Sequence, residues 1–459
     1  MLAVNFFQTP YPVYPLGASL AAAAARRHGH ETRFFDLLSE ADFGDYGHSL
    51  LERAVQDFRP DCVGVSIRNA ESTDSLYPNS QLDLVRDIVA EIRGLTPAPV
   101  VLGGAGFTLL PHAFLRHSGA DYGIAGEGEE AFPAFLDALQ AGQASPGLWN
   151  GGKNFSAPRQ ECRAHIEDLV EKYAAQGGMI GLQTRRGCSL GCLYCSYPLL
   201  EGRRVRPRPI NDVMGDLRLL SKTIEKPQVA FADSVFNSPD GSWRELLRAI
   251  VRERLGIAWT AFLQPYGLNE KDLELIKASG AAGIEFGTDA ACDATLRGLA
   301  KPFDFRTVLS IQEACVKIRL PAAHYVIFGG PGETRDTVEE GLANLDLLER
   351  CVVIASSGLS IYPGTGLHEV ALREGAVKPD EDFRRPIFYF SPGVPPEWLA
   401  GRLAAAFRRR RDRIYPASSA DEKAAALRRM GYRGLLWDTL IRWDSPVPLA
   451  APARVGGGR

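Results

Sequence analysis

Thr184–Pro198 reads TRRGCSLGCLYCSYP and sets Cys188, Cys192 and Cys195 in one run, with three residues in the first gap and two in the second. A closed zinc site or an ordinary iron–sulfur cluster takes four protein ligands. Three thiolates on a cubane leave one iron open, which is useful only where something else binds that iron. The competing reading is a zinc site completed by a distant Cys162 or His165. The surrounding pattern favours the first reading, because nothing in it needs a structural metal.

That surrounding pattern is periodic. From Met179 onward, strand-length apolar runs (MIGLQTRRG, QVAFAD, IAWTAFL, GIEFGTD, AAHYVIFGG and VIASSGLSIYP) alternate with helical stretches near 210–223, 241–253, 269–279, 305–318 and 334–349. Six such repeats are expected to close into a partial α/β barrel over residues 179–385. Barrels carry their chemistry on the loops that follow the strands. The cysteine triplet directly follows the first one.

Residues 1–145 alternate in the same way, beginning with LAVNFF and ending in a helix from Glu129 to about Leu139. Short apolar strands separated by helices imply a doubly wound, Rossmann-like parallel sheet covered on both faces. Ligands of such sheets bind at the carboxyl ends of the strands. Here those ends read TPYPVYPLG, SIRNAESTD, GGAGFT and AGEGEE. Tight turns explain the glycines of any single loop. Four such loops at one edge suit a flat or bulky ligand approached closely by backbone.

Residues 146–178 read as a Gly- and Pro-rich linker, and residues 386–459 as a small, mainly helical cap with a disordered end. In that tail Trp398, Leu399, Leu403 and Phe407 mark the apolar side of a helix, and Arg408–Arg411 with Arg413 form a basic run. Cations near a helix C-terminus explain the run; docking of an anionic partner is the alternative.

The whole chain has 459 residues, 45% of them hydrophobic, and a net charge of −3, so it buries a sizeable core and carries no global basic charge for nucleic acid or an anionic membrane. The start MLAVNFFQTP lacks the features of a signal peptide, and the longest apolar run, Leu16–Ala25, is half of a membrane span. A cytoplasmic location is expected. In that compartment the eight cysteines are not expected to form disulfides, and Cys62 and Cys351 read as inert core residues.

Cys188, Cys192, Tyr194 and Cys195 together resemble the signature of the radical S-adenosylmethionine (SAM) enzymes. The resemblance implies a 4Fe–4S cluster whose open iron is chelated by SAM, and a 5′-deoxyadenosyl radical from its cleavage. It also implies SAM contacts at Tyr194, Asp233, Gln264, Glu285, Asp289, Gly329 and Gly330. GIEFGTD departs from the usual Gly-x-Glu-Ser-Gly, so its ribose and carboxylate contacts are not assigned by the motif.

Residues 1–145 resemble the cobalamin-binding domain that precedes the barrel in one branch of these enzymes. That implies cobalamin contacts at Tyr14, Leu16, Gly17, Ser66, Arg68, Asn69, Gly103, Gly104, Gly106, Gly126 and Glu127. The Asp-x-His-x-x-Gly loop, whose histidine ligates cobalt from below, is absent. Arg68 stands where the corrin would lie and has no lone pair to donate to a metal. Its other role would be to pair with Glu71 or Asp74.

The implied activity is methylation of an unactivated carbon of a small molecule, with an electron donor such as flavodoxin or ferredoxin. Radical cyclisation, rearrangement or hydroxylation is the alternative. An RNA methylthiotransferase would need a second cysteine triplet, and a non-catalytic module would not need the first. Tyr266, Tyr325 and His324 are candidate bases by position alone.

Overall fold

The computed structural model describes residues 2–5, 13–36, 47–150 and 167–443. Strands β1 (Leu2–Asn5), β2 (Arg33–Asp36), β3 (Val63–Ser66), β4 (Val100–Gly103), β5 (Tyr122–Ala125) and β6 (Gly147–Asn150) form one parallel sheet in the order β2-β1-β3-β4-β5-β6. The last of these strands falls in the stretch that reads as linker. Its Gly147 takes a φ of +114° and its Trp149 packs edge-on against Phe135, so a Gly-rich run ends up as an edge strand.

Helices Leu16–Arg27 and Gly128–Gln140 cover one face of the sheet, burying Ala22, Ala25, Phe132 and Phe135 over Val101 and Ile124. The alanine-rich sequence of the first helix lets it lie close to the strands. Leu82–Leu95 covers the other face with Val85, Val89 and Ile92.

The second half begins with β7 (Ile180–Leu182) and a short antiparallel ribbon of β8 (Arg185–Arg186) with β9 (Arg206–Pro207). Then come β10 (Gln228–Phe231), β11 (Ala258–Leu263), β12 (Ile284–Asp289), β13 (Ala322–Phe328) and β14 (Val352–Ser357). A second ribbon pairs β15 (Leu359–Ser360) with β16 (Phe388–Tyr389), and β17 (Arg413–Ile414) follows. The large strands run parallel in the order β17-β14-β13-β12-β11-β10-β7, an open barrel wall with helices outside. Local signals start those helices. Asn269 and Thr334 each form a reciprocal capping box, and Asp304 caps Phe305–Lys317.

The tail is mainly helical, as expected, but it also adds to the barrel wall and interior. Arg413–Ile414 adds an edge strand beside β14. Beyond the helix Ser418–Arg429, Leu435 and Trp437 fill the barrel interior near the start of β12, with Ala323, Val352 and Ile354 around them. A side chain at Gly283 would meet Leu435 and Trp437 at 2.8 Å. Trp437 is therefore a floor, and Trp443 packs beside it. The end of the tail, expected to be disordered, lies outside the described residues. Among the described residues, no helix is long and apolar enough to cross a membrane.

Candidate active site between two sheet edges

The carboxyl edge of the first sheet faces the carboxyl edge of the barrel across a cavity of about 600 Å³. Leu16, Gly17, Ser66, Arg68, Asn69, Gly103, Gly104, Gly126 and Glu127 line it from the first domain. Gln183, Arg186, Tyr197, Glu201 and Tyr362 line it from the barrel side. Gly104 takes a φ of +99°, and a Cβ there would lie 2.5 Å from the Ile67 carbonyl oxygen. At Gly17 a Cβ would meet nothing within 4 Å, so its smallness leaves room for an occupant rather than for packing.

Two expected cobalamin residues lie elsewhere. Tyr14 is buried edge-on against Tyr173, with 5.6 Å between ring centroids. Gly106 donates its N–H to Ile67 O, and a Cβ there would sit 2.5 Å from the Asn69 backbone. Both residues hold the fold together; a glycine kept for helix packing and one kept for a ligand look alike in sequence.

Arg68 lies exposed at the end of β3. Its charge acts on Tyr173, Tyr197 and Asp421, which places the guanidinium between the domains. Glu71 lies near Ser360 and Tyr362, and burial raises its carboxyl above the usual range. Asp74 bonds Ser418 and the Leu76 N–H. The loop after β3 thus reaches the barrel and the tail.

An ionic clasp that the sequence did not announce joins the two edges. Arg186 bonds Glu129 and lies 3.4 Å from Glu127, while Arg206 bonds Glu127 and the Glu201 carbonyl. The two arginine side chains are only 9% and 5% exposed. Burial pushes the Glu129 carboxyl up, but Arg186 outweighs it and holds the group below the usual range.

The cysteine loop is pinned at several points. Glu201 accepts from Gln183 Nε2 at 2.8 Å and from the Gly187 N–H at 3.0 Å. Leu193 donates its N–H to Leu299 O and accepts from the Leu367 N–H. Asp233 accepts from Thr184 Oγ1 and from the N–H groups of Thr184 and Arg185. Its side chain is fully buried, so this expected SAM contact is instead a strut under the start of the loop.

Tyr194 and Asp289 also find each other, with the hydroxyl donating to Oδ2 at 2.5 Å. Asp289 is ion-paired with Lys301, whose Nζ lies 3.4 Å from Cys192 Sγ. Burial raises the Cys192 and Cys195 thiols, the latter to about 12. A metal takes such thiols as thiolates and releases their protons.

Among the described residues, no group of three or more His, Cys, Asp or Glu side chains is gathered to hold a metal ion. A cubane takes one thiolate at each of three irons, so its ligands need not converge on a point. Cys162 and His165, the alternative zinc ligands, lie outside the described residues. On this chemistry the loop fits a cluster.

Further around the barrel edge, Gln264 has its backbone held by Asn237. Its Oε1 is buried and, like Ser238 Oγ, has no partner among the described residues. Such unsatisfied acceptors and donors call for a polar ligand such as SAM. Gly329 takes a φ of +99° beside Phe390, and Glu333 accepts from its N–H.

Glu285 lies lower, inside the barrel. It accepts from Trp437 Nε1 at 3.0 Å and from Tyr325, and burial raises its carboxyl to about 7. Tyr325 faces Phe262 across the interior at 5.0 Å, and Tyr266 is 49% exposed. His324 faces outward, bonded to Thr288 Oγ1 and Gln312 Oε1, and burial pushes its imidazole down to about 3. It is a core histidine and not a base in the cavity. Cys62 and Cys351 are buried, with thiols raised by burial to about 12 and about 11.

Comparison with known proteins matches residues 3–136 to the B12 binding domain family and residues 182–343 to the Radical SAM superfamily. The chain belongs to the B12-binding branch of the radical SAM enzymes. A solved structure of the radical SAM methyltransferase TsrM from Kitasatospora setae, with tryptophan and a SAM analogue bound, shares the fold at a TM-score of 0.85 and 23% identity. The match covers 96% of this chain and 97% of that one.

Tryptophan 2-C-methyltransferase of Streptomyces laurentii is 26% identical, over 79% of this chain and 73% of its own. Cytidylyl-2-hydroxyethylphosphonate methyltransferase of Streptomyces wedmorensis is 25% identical, over 88% of each. Membership brings the cofactors with it: a 4Fe–4S cluster and SAM with the radical SAM domain, cobalamin with the B12-binding domain.

Proposed function

We propose that this radical SAM enzyme is a cobalamin-dependent methyltransferase that acts on an unactivated carbon of a small molecule in the cytoplasm. The observation that carries the reading is the shared cavity, with a glycine-lined sheet edge on one wall and the residues around the cysteine loop on the other. When bound, the cofactors supply a hydrogen-abstracting radical and a methyl carrier.

Cys188, Cys192 and Cys195 would hold the cluster, with the unpartnered Gln264 Oε1 available to SAM. Gly17, Gly103, Gly104 and Gly126 would hold the corrin. Arg68, which has no lone pair to give, would stand beside the corrin without ligating its metal. The Arg186 and Arg206 clasp keeps the two walls in register and excludes solvent at their seam.

The relatives act on an amino acid and on a nucleotidyl phosphonate by their names, which supports a small-molecule substrate held on the barrel side near Phe262, Tyr266 and Tyr325. Nucleic acid is not a partner in this reading. Much of the basic run in the tail is engaged, Arg410 with Asp346, Arg411 with the Thr439 carbonyl, and Arg413 with buried carbonyls. A flavodoxin or ferredoxin delivers the electron elsewhere on the surface.

Anaerobic purification with hydroxocobalamin supplied during expression, followed by iron, sulfide and cobalt assays, tests the proposal. Expected are about four irons per chain and near-stoichiometric cobalt. Iron without cobalt would remove the methyl carrier and leave radical cyclisation, rearrangement or hydroxylation.

A further inference from the structure

Lys301 belongs to no expected motif, yet it is the side chain that reaches the cluster loop from across the barrel edge. Its Nζ lies 3.4 Å from Cys192 Sγ, and its side chain is 7% exposed. The segment that carries it is tied to the loop, because Leu299 O accepts from the Leu193 N–H at 3.1 Å. Asp289, ion-paired to Lys301, sits at a φ of +61° where the pairing of β12 with β13 is shifted, and also accepts from Tyr194. A non-glycine residue in the left-handed region beside a buried ion pair is a built arrangement, not a surface accident. Cys195 is supported differently, by the Tyr197 backbone N–H.

We propose that Lys301 is a positioning residue for the cluster: its ammonium, held by Asp289, donates a hydrogen bond to the Cys192 sulfur and makes the cluster easier to reduce. Reduction adds one electron, and so one negative charge, from an external one-electron donor. No proton leaves the lysine. Hydrogen bonds to the sulfurs and nearby charge are among the levers that set such potentials. The inference rests on the proposed cluster at Cys188, Cys192 and Cys195.

The experiment is an EPR-monitored redox titration with dithionite of the full chain carrying its reconstituted cluster, without SAM, after iron has been counted. Lys301→Gln should lower the equilibrium constant for reduction roughly tenfold, about 59 mV for a one-electron couple. Lys301→Arg should recover most of that. Asp289→Asn should move the potential the other way, since it leaves the cation without its counter-charge. A merely structural role would shift both sites in one direction. If Lys301→Gln does not retain iron, Asp289→Asn decides the matter by the sign of its shift.

A wild-type potential in Lys301→Gln at full iron content, or a downward shift in Asp289→Asn, would overturn the inference and leave the cluster standing. A wild-type chain that takes up no iron would sink the cluster assignment itself.

Discussion

On the first-domain wall of the cavity, space is made by leaving side chains out: Gly17, Gly103, Gly104 and Gly126 line it, and its charged residues, Arg68, Glu71, Glu127 and Glu129, stand among a mostly apolar lining. On the barrel wall the opposite holds. Arg186, Arg206, Glu201, Asp233, Asp289 and Lys301 fill the surroundings of the cysteine loop, and each spends its charge on another protein group. The first wall suits a large, weakly polar ring pressed against backbone. The second suits a charged cluster whose ligands must be held still while electrons come and go. The contrast also says where each wall is vulnerable: one to an added methyl group, the other to a removed charge.

The largest expected effect is on the charged side. Arg206→Met strands Glu127 beside a seam it shares only with Arg186, and breaking a buried pair from one side costs about 3–5 kcal/mol. Urea unfolding should show the loss, and limited proteolysis should separate the two halves. Loss of stability within about 0.5 kcal/mol would mean that the clasp is a wet surface pair.

On the glycine side, Gly104→Ala forces a Cβ to within 2.5 Å of Ile67 O at a φ of +99° and should cost about 1–3 kcal/mol. Gly17→Ala meets nothing within 4 Å and should leave unfolding unchanged. Both should lower bound cobalt and leave iron intact. Cobalt retained in Gly17→Ala at the wild-type level would remove Gly17 from the cradle.

The last test sharpens the contrast by pH. Glu285 protonates at about 7 in the fold and at its ordinary 4.5 when exposed, so the folded state holds the extra proton between those values. The stability it contributes is complete below pH 4.5 and is lost as pH rises through 7. For one proton the slope is at most about 1.4 kcal/mol per pH unit. Urea midpoints measured from pH 5 to pH 8 should fall, and Glu285→Gln should flatten the fall. An equally steep profile in the variant would place the responsible carboxylate elsewhere, with Glu333, also raised to about 7 by burial, the next to test.

The glycine wall was largely legible in the sequence, because a loop that needs backbone at its surface has few residues to choose from. Gly17, Gly103 and Gly104 line the cavity, while Gly106 lies against the Asn69 backbone, where close packing makes the same demand. The cysteine spacing was legible because its ligands are local. The charged wall was not. Lys301 meets Cys192 across more than a hundred residues of sequence, and Arg206 meets Glu127 across the domain boundary, so neither pair leaves a periodic trace. Asp233 and Asp289 were expected as SAM contacts from the resemblance, and only the fold shows that their oxygens are engaged by Thr184, Arg185, Tyr194 and Lys301. A two-residue strand such as β17 carries no period at all.

The indole of Trp437 sits under the barrel, yet it is among the last parts of the described chain to be made. Synthesis runs from the N-terminus, and domains fold as they emerge. The cysteine loop and both sheet edges therefore leave the ribosome while Glu285, Tyr325 and Ile354 still look down into water. During that interval the barrel wall lacks its floor. Once Leu435 and Trp437 dock, the lower end of the interior is shut.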